Sequence, residues 1–309
     1  MTREFNEVLK AVIIGHAVAD ALGVPVEFKD REYLSLHPIT DMVGYGTYNM
    51  PKGSWSDDTS MAICSLSALN NGKINFDKIM HNFCLWYYNG EFTPTGVTFD
   101  VGSTCSMAIE NYYNNYKTWK ECGLGTENSN GNGSLMRIYP FVFYTYKLQT
   151  DLKTKIDIIE LASGLTHAHK RSKIACGIYA FILWELIGNP CKNSIYIGLQ
   201  KAKEYYLNEL EGAYFYRIFA DNFASLSPNL INSSGYVVDS LEASIWCLLN
   251  STNYKTCVLK AVNLGEDTDS IGAIAGSLAG ALYGYNDIPL EWKRSLIKKD
   301  YLESFSKNL

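Results

Sequence analysis

Asp267-Thr268-Asp269-Ser270-Ile271-Gly272-Ala273-Ile274-Ala275-Gly276-Ser277-Leu278-Ala279-Gly280-Ala281-Leu282-Tyr283-Gly284 decides how this chain folds. From Gly272 onward glycine recurs every fourth residue, so one face of a helix is almost bare of side chains. Each interior glycine costs about 1 kcal/mol against alanine. A segment that accepts this cost repeatedly needs a neighbouring backbone very close. The stretch predicts a tightly packed core helix that carries two acids, Asp267 and Asp269, at its start.

Outward from this segment, helical periodicity dominates. Phe5, Val8, Leu9, Val12, Ile13 and Ala17 mark one face of a first helix that should end near Leu22, because Gly23 and Pro25 stop it. Residues 23–55 read as a long irregular connection, and a loop of that length inside a compact domain is usually functional. Helical patterns follow at 57–70, 76–89, 101–118, 134–148, 151–163, 167–188, 192–209, 211–224, 238–250, 254–264, 270–284 and 289–305. Asn-Gly at 71–72 and 89–90 reads as helix-end punctuation. Strand alternation is scarce. The fold class is all-α, in one domain over 1–309, with no linker or internal repeat.

The chain has 309 residues, is 47% hydrophobic and 19% charged, and carries a net charge of −5. This is ordinary for a globular protein with a large core. The acidic balance argues against a nucleic-acid partner, which needs clustered Lys and Arg. None of the eight cysteines forms a C-x-x-C pair, so neither a zinc knuckle nor a thioredoxin motif is present. Several lie in apolar helical stretches, where a reduced cysteine acts as a small hydrophobe. That reads as a reducing, cytoplasmic setting. Met1-Thr2-Arg3-Glu4-Phe5 lacks the apolar core of a signal peptide. Ile271 to Tyr283, taken as the most apolar stretch, is too short for a membrane span of about 20 residues.

A second acidic cluster, Ser56-Asp57-Asp58-Thr59, opens the helical pattern at 57, about 200 residues before the first. One such cluster alone reads as an N-cap, since Ser and Asp satisfy free N–H groups and meet the positive dipole end. Two consecutive aspartates weaken that reading, because only one residue can cap. A pair of such clusters predicts a shared oxygen-lined pocket suited to magnesium or manganese. Four crowded carboxylates repel one another, and a bound dication is the usual relief.

Other residues are more ambiguous. Glu27 in the long connection is by itself a surface carboxylate. Asp20, among apolar residues, needs partners and could bond the following glycine turn. Glu127-Asn128-Ser129-Asn130-Gly131-Asn132-Gly133-Ser134 is either a flexible loop or a loop presenting N–H groups to a phosphate. It is not a Walker loop, because no Gly-Lys-Ser/Thr follows. Thr166-His167-Ala168-His169 opens a helix with Thr166 as cap. Its histidines face apart, so zinc is not indicated.

These motifs together resemble the ADP-ribosylglycohydrolase family. The matching stretches are Ala19 to Phe28, Ser56 to Thr59, Gly131 to Arg137, Thr166-His167 and Ala261 to Ala273, in family order across residues 15–285. The resemblance implies an all-α orthogonal bundle with a binuclear centre of two divalent cations, Mg2+ or Mn2+. It implies Ser56, Asp57, Asp58, Asp267, Asp269 and Ser270 as metal ligands and Asp100, Asn132, Gly133, Ser134 and His167 as ADP-ribose contacts. Glu27 matches the family acid near the reactive ribose, and Glu27 or Asp58 is nominated to move the proton. Departures stand at four positions. Ser56 and Ser270 replace threonine and keep the oxygen, Glu266 replaces a glycine, and Ala19 replaces a glycine without harm.

The implied activity is hydrolysis of the bond between ADP-ribose and a protein side chain, with arginine as first choice. An oxocarbenium-like transition state would be stabilised by nearby carboxylates. The implied partner is an ADP-ribosylated protein. A cognate ADP-ribosyltransferase toxin is a further candidate partner, and a membrane is not. Alternatives are another linkage (serine, O-acetyl-ADP-ribose or a nucleic-acid base) or an immunity protein that blocks a toxin by binding it.

Overall fold

The computed structural model describes residues 4–69, 73–307 and 309. The expectations at Met1–Arg3 and Asn71-Gly72 therefore lie outside the described residues. The helices are α1 (Phe5–Gly23), α2 (Arg31–Leu36), α3 (Asp57–Ala68), α4 (Phe76–Asn89), α5 (Ser103–Tyr113), α6 (Tyr139–Lys147) and α7 (Leu152–Gly164). They continue with α8 (Lys170–Gly188), α9 (Lys192–Tyr205), α10 (Val237–Leu249), α11 (Tyr254–Val262), α12 (Thr268–Tyr283), α13 (Leu290–Ser295) and α14 (Lys299–Ser304). Among the described residues only isolated β-bridges interrupt this, such as Leu124 with His167 and Gly131 with Tyr236. The fold is all-α.

The central pair is α1 against α12. A side chain at Gly276 would run into the Gly15 carbonyl and the Ala19 methyl, and one at Gly280 into the Ala11 carbonyl. A Cβ at Gly272 would stand 2.9 Å from the Ala19 carbonyl oxygen. Ala11, Gly15 and Ala19 are four residues apart, so α1 offers its own small-residue face, antiparallel to that of α12. The close approach read from the glycine spacing is present, and α1 is the neighbour it needed. Ala19 serves this contact directly.

The antiparallel arrangement has a consequence for function. The start of α12 must lie beside the end of α1. Thr268 Oγ1 donates to the Gly23 carbonyl at 2.8 Å, and any Cβ on Gly23 would collide with the backbone at Thr268 and Asp269.

Several expected boundaries move. The 134–148 pattern becomes a helix only at Tyr139, because Pro140 is placed in a first turn, where its missing N–H costs nothing. The 211–224 pattern forms 3-10 turns at Leu210–Phe215 and Phe223–Ser225, anchored by buried Phe215, Ile218 and Phe223 rather than by a continuous stripe. The 289–305 pattern splits into α13 and α14. There Ile297 N–H donates to the Gly53 carbonyl at 3.0 Å, and Lys298 takes a left-handed φ of 55°. The 101–118 pattern shortens to α5.

The apolar stretch also differs from expectation. Among the described residues, Phe5–Val26, with a mean hydropathy of 1.5 in its best window, is the segment long and apolar enough to cross a membrane by length and composition. That window is 94% buried inside the protein, as befits a core helix. All eight cysteines are free thiols.

Candidate active site

The end of α1, the start of α3 and the start of α12 meet in one place. Asp20, fully buried on α1, ties the first two together. Its carboxylate accepts from Ser56 N–H at 2.9 and 3.1 Å, Thr59 N–H at 3.2 Å and Thr59 Oγ1 at 2.6 Å. The sequence suggested that Asp20 bonds the glycine turn after it; instead it holds the first turn of α3. Burial still pushes its carboxyl up to about 7, against the pull of Thr59 and Ser56.

With Ser56 as N-cap, accepting from Asp58 N–H at 3.3 Å, the neighbouring acids are free for other work. Asp267 occupies the N-cap position of α12, yet its side chain caps nothing. The acids are therefore not simply tidying their helix ends. Ser270 Oγ donates to Asp58 Oδ2 at 3.2 Å, which joins the two clusters directly. Ser56 Oγ donates to the same oxygen at 3.1 Å.

Glu27 Oε2, Asp58 Oδ1, Asp267 Oδ1 and Asp269 Oδ2 are buried without a hydrogen-bond donor. One oxygen each of Glu27, Asp100 and Asp269 lies within 4.8 Å of the others. Burial, and then repulsion from neighbouring acids, pushes the carboxyls of Asp57, Asp58 and Asp269 well above the usual range. Burial, then Asp100, pushes Glu27 up to about 9. Burial lifts Asp267 to about 6, although Asn132 donates to it. Among the described residues lining the cavity there is no Lys or Arg. Buried carboxylate oxygens with neither donors nor cationic partners are costly. An all-oxygen donor set of this kind fits a hard divalent cation.

The cavity encloses about 300 Å³. Glu27, Asp57, Asp100, Asp267 and Ser270 line its acidic side, and Gly131, Asn132, Gly133, His167 and Gly235 face them. Ser56, Asp58 and Asp269 are absent from the lining and buried. Ser134 also turns away from the cavity, with Ser163 Oγ donating to it at 2.9 Å. Asn132 Nδ2 donates to Asp267 Oδ2 at 2.8 Å and to Ser240 Oγ at 2.9 Å, so it braces the acid. A Cβ on Gly133 would stand 2.8 Å from Cys105 Sγ and 2.9 Å from the His167 ring, so a side chain there would force one of them to shift.

The Thr166 region departs from expectation. His169, not Thr166, caps α8, accepting from Arg171 N–H. His167 is buried rather than solvated.

Sequence reasoning missed Tyr48, whose hydroxyl donates to Asp100 Oδ1 at 2.6 Å and which neighbours Glu27. Its only signal was membership of the long connection. Cys105, Met136 and Phe28, which is 69% exposed at the cavity mouth, were missed as well. Glu266 and Phe28 both have left-handed backbones, with φ of 62° and 65°. Phe28 N–H donates to the Glu266 carbonyl and Glu266 N–H to the Lys29 carbonyl, each at 2.7 Å. A positive φ explains why glycine would be the easy residue at 266.

A family model described as ADP-ribosylglycohydrolase matches residues 1–309. The ADP-ribosylarginine hydrolase Tri1 of Serratia proteamaculans (strain 568) is 32% identical over 301 residues, covering 97% of this chain and 78% of that protein. The ADP-ribosyl-[dinitrogen reductase] glycohydrolase of Rhodospirillum rubrum is 29% identical over 298 residues, covering 93% and 89%. A solved structure described as an ADP-ribosylglycohydrolase-related protein complex superposes with a TM-score of 0.81 at 26% identity, covering 98% of this chain and 96% of that one.

Proposed function

The chain belongs to the ADP-ribosylglycohydrolase family and is an ADP-ribosyl glycohydrolase, and from that premise we propose that it removes ADP-ribose from modified arginine side chains of proteins with two divalent cations, magnesium or manganese. The observation that carries the reading is the joining of the two acidic clusters through Ser270 and Asp58, with four buried carboxylate oxygens left unpaired around it. The arginine linkage draws its support from the Serratia and Rhodospirillum relatives, of which the first is named for that substrate. The whole of 1–309 acts as one domain in this reading, and a cytoplasmic setting suits its free cysteines.

Ser56, Asp57, Asp58, Asp267, Asp269 and Ser270 would hold the cations, and Glu27 and Asp100 stand close enough to join them. When bound, such cations supply Lewis acidity that polarises the sugar and makes water more acidic. Glu27 is the better candidate for moving the proton, because it lines the cavity whereas Asp58 lies behind it. Its carboxyl gives its proton to the departing guanidine nitrogen as the carbon–nitrogen bond to ribose breaks, and takes a proton back from the water whose oxygen bonds to the anomeric carbon. Tyr48 holds Asp100 beside Glu27, and the carboxylates around the sugar favour positive charge on the ring. Asn132, Gly133 and His167 would hold the rest of ADP-ribose.

The test is release of ADP-ribose from an ADP-ribosylarginine peptide. Chelation should abolish it, and added Mg2+ or Mn2+ should restore it. Full turnover in excess chelator would reject the cation part. Turnover of a serine-linked peptide but not the arginine-linked one would reject the linkage.

A further inference from the structure

Beneath the Gly131–Gly133 wall lies a guanidinium with no acidic partner. Arg137 is fully buried, and among the described residues no carboxylate pairs with it. Its Nη2 donates to Thr166 Oγ1 at 2.9 Å, and its cation lies 4.8 Å from the centre of the Phe83 ring. Thr166 Oγ1 in turn stands 2.8 Å from His167 Nδ1. The other side of that imidazole belongs to the cavity. Nε2 lies 3.5 Å from the place a Cβ would take on either Gly131 or Gly133.

Donor bookkeeping orders this chain. A guanidinium only donates, so the Thr166 oxygen accepts from Arg137. The hydroxyl then has one proton to give. Given to His167 Nδ1, it leaves that nitrogen unprotonated and puts the ring proton on Nε2. The competing arrangement protonates Nδ1 and turns the hydroxyl toward Cys105, which also neighbours Thr166. Sulfur is a weak acceptor and imidazole nitrogen a strong one, so the first arrangement is favoured. Burial and the nearby guanidinium also hold the imidazole uncharged, with its pKa lowered to about 3.

We infer that Arg137 and Thr166 act as positioning residues that lock His167 in its Nε2–H tautomer, so that it meets an acceptor oxygen of ADP-ribose as an uncharged hydrogen-bond donor. The relay itself stands on geometry alone, while its role in binding rests on the ADP-ribose reading of the cavity. A neutral donor stays a donor across the working pH range. A histidine charged near neutrality would instead be drawn to the neighbouring acids.

NMR of the protein with nitrogen-labelled histidine tests the relay without any substitution. His167→Gln serves only to identify which of the five imidazole signals belongs to position 167. The expected spectrum at neutral pH shows Nδ1 bare and Nε2 protonated; a protonated Nδ1 overturns the inference. Calorimetry with ADP-ribose tests the consequence. Thr166→Val keeps the shape and removes the hydroxyl, and should weaken binding about tenfold. Thr166→Ser should restore it. A folded Thr166→Val protein that binds as wild type does would overturn the binding role. If wild type fails to bind ADP-ribose, the reading of the cavity falls, and the spectrum still decides the relay.

Discussion

Along Gly272 to Gly280, α12 lies against Ala11, Gly15 and Ala19 of α1 with backbone nearly touching backbone. At its first turn the same helix holds Asp269 and Ser270 among acids whose oxygens lack donors. The first region is apolar, closed and matched; the second is polar, crowded and unmatched. The two are mechanically linked. Close packing along the seam fixes how near the end of α1 comes to the start of α12, and so how near the acids stand to one another. Well-matched contacts in one place can hold a costly arrangement in another, and costly arrangements tend to mark functional sites.

The sharpest way to break this comparison is Asp58→Asn. It should lower kcat/KM by about a thousandfold, since it removes a central member of the joined clusters. In chelator the same variant should melt higher than wild type, because a neutral amide escapes the cost of burying a carboxyl among other acids. A lower melting temperature in chelator would show that the acids are not in conflict.

Gly276→Val attacks the other region. It forces a branched side chain into the Gly15 carbonyl and the Ala19 methyl, and should cost about 3 kcal/mol or more of stability. A denaturant midpoint close to wild type would mean that the helices can separate freely. Catalysis should fall with it, since separating α1 from α12 also separates the acids.

Asp20→Ala tests the joint between the regions. It leaves the N–H groups of Ser56 and Thr59 without their acceptor, and should cost about 2 kcal/mol by urea unfolding. Divalent-cation affinity, read by calorimetry, should weaken as well, because α3 loses its anchor.

The smallest effect belongs to a buried acid outside the cluster. Glu242 on α10 lies 3.4 Å from Arg217, and burial, opposed by that arginine, raises its pKa from 4.5 to about 7. The folded protein holds this proton more tightly than the unfolded chain. The stability it contributes is full below pH 4.5 and is lost as pH rises through about 7. Glu242→Gln should flatten that slope in melting curves taken from pH 4.5 to 8, by a few degrees at most.

Reading the sequence succeeded where one local pattern carries the information. The glycine spacing in α12 announces close packing before any partner is known, because only a facing backbone repays bare helix positions. The paired acids announce a shared pocket, because a helix start needs only one cap. Reading failed where a residue answers to something distant in the chain. Tyr48 has no local mark, since its role comes from Asp100, which reaches it only through folding. Asp20 pointed to the wrong partner, since the turn beside it is nearer in sequence than Ser56 and Thr59. Thr166 looked like a cap because threonine before a helix usually is one.

By itself the sequence determined the all-α class, the bare face of α12 and which acids and hydroxyls are available for chemistry. These follow from periodicity and residue type, which are properties of neighbours along the chain. Only the tertiary structure decided that α1 runs antiparallel beneath α12, that Asp20 holds α3 in place, and that Ser270 reaches Asp58. Those pairings are set by which surfaces can approach each other, and that depends on close packing in three dimensions rather than on order along the backbone.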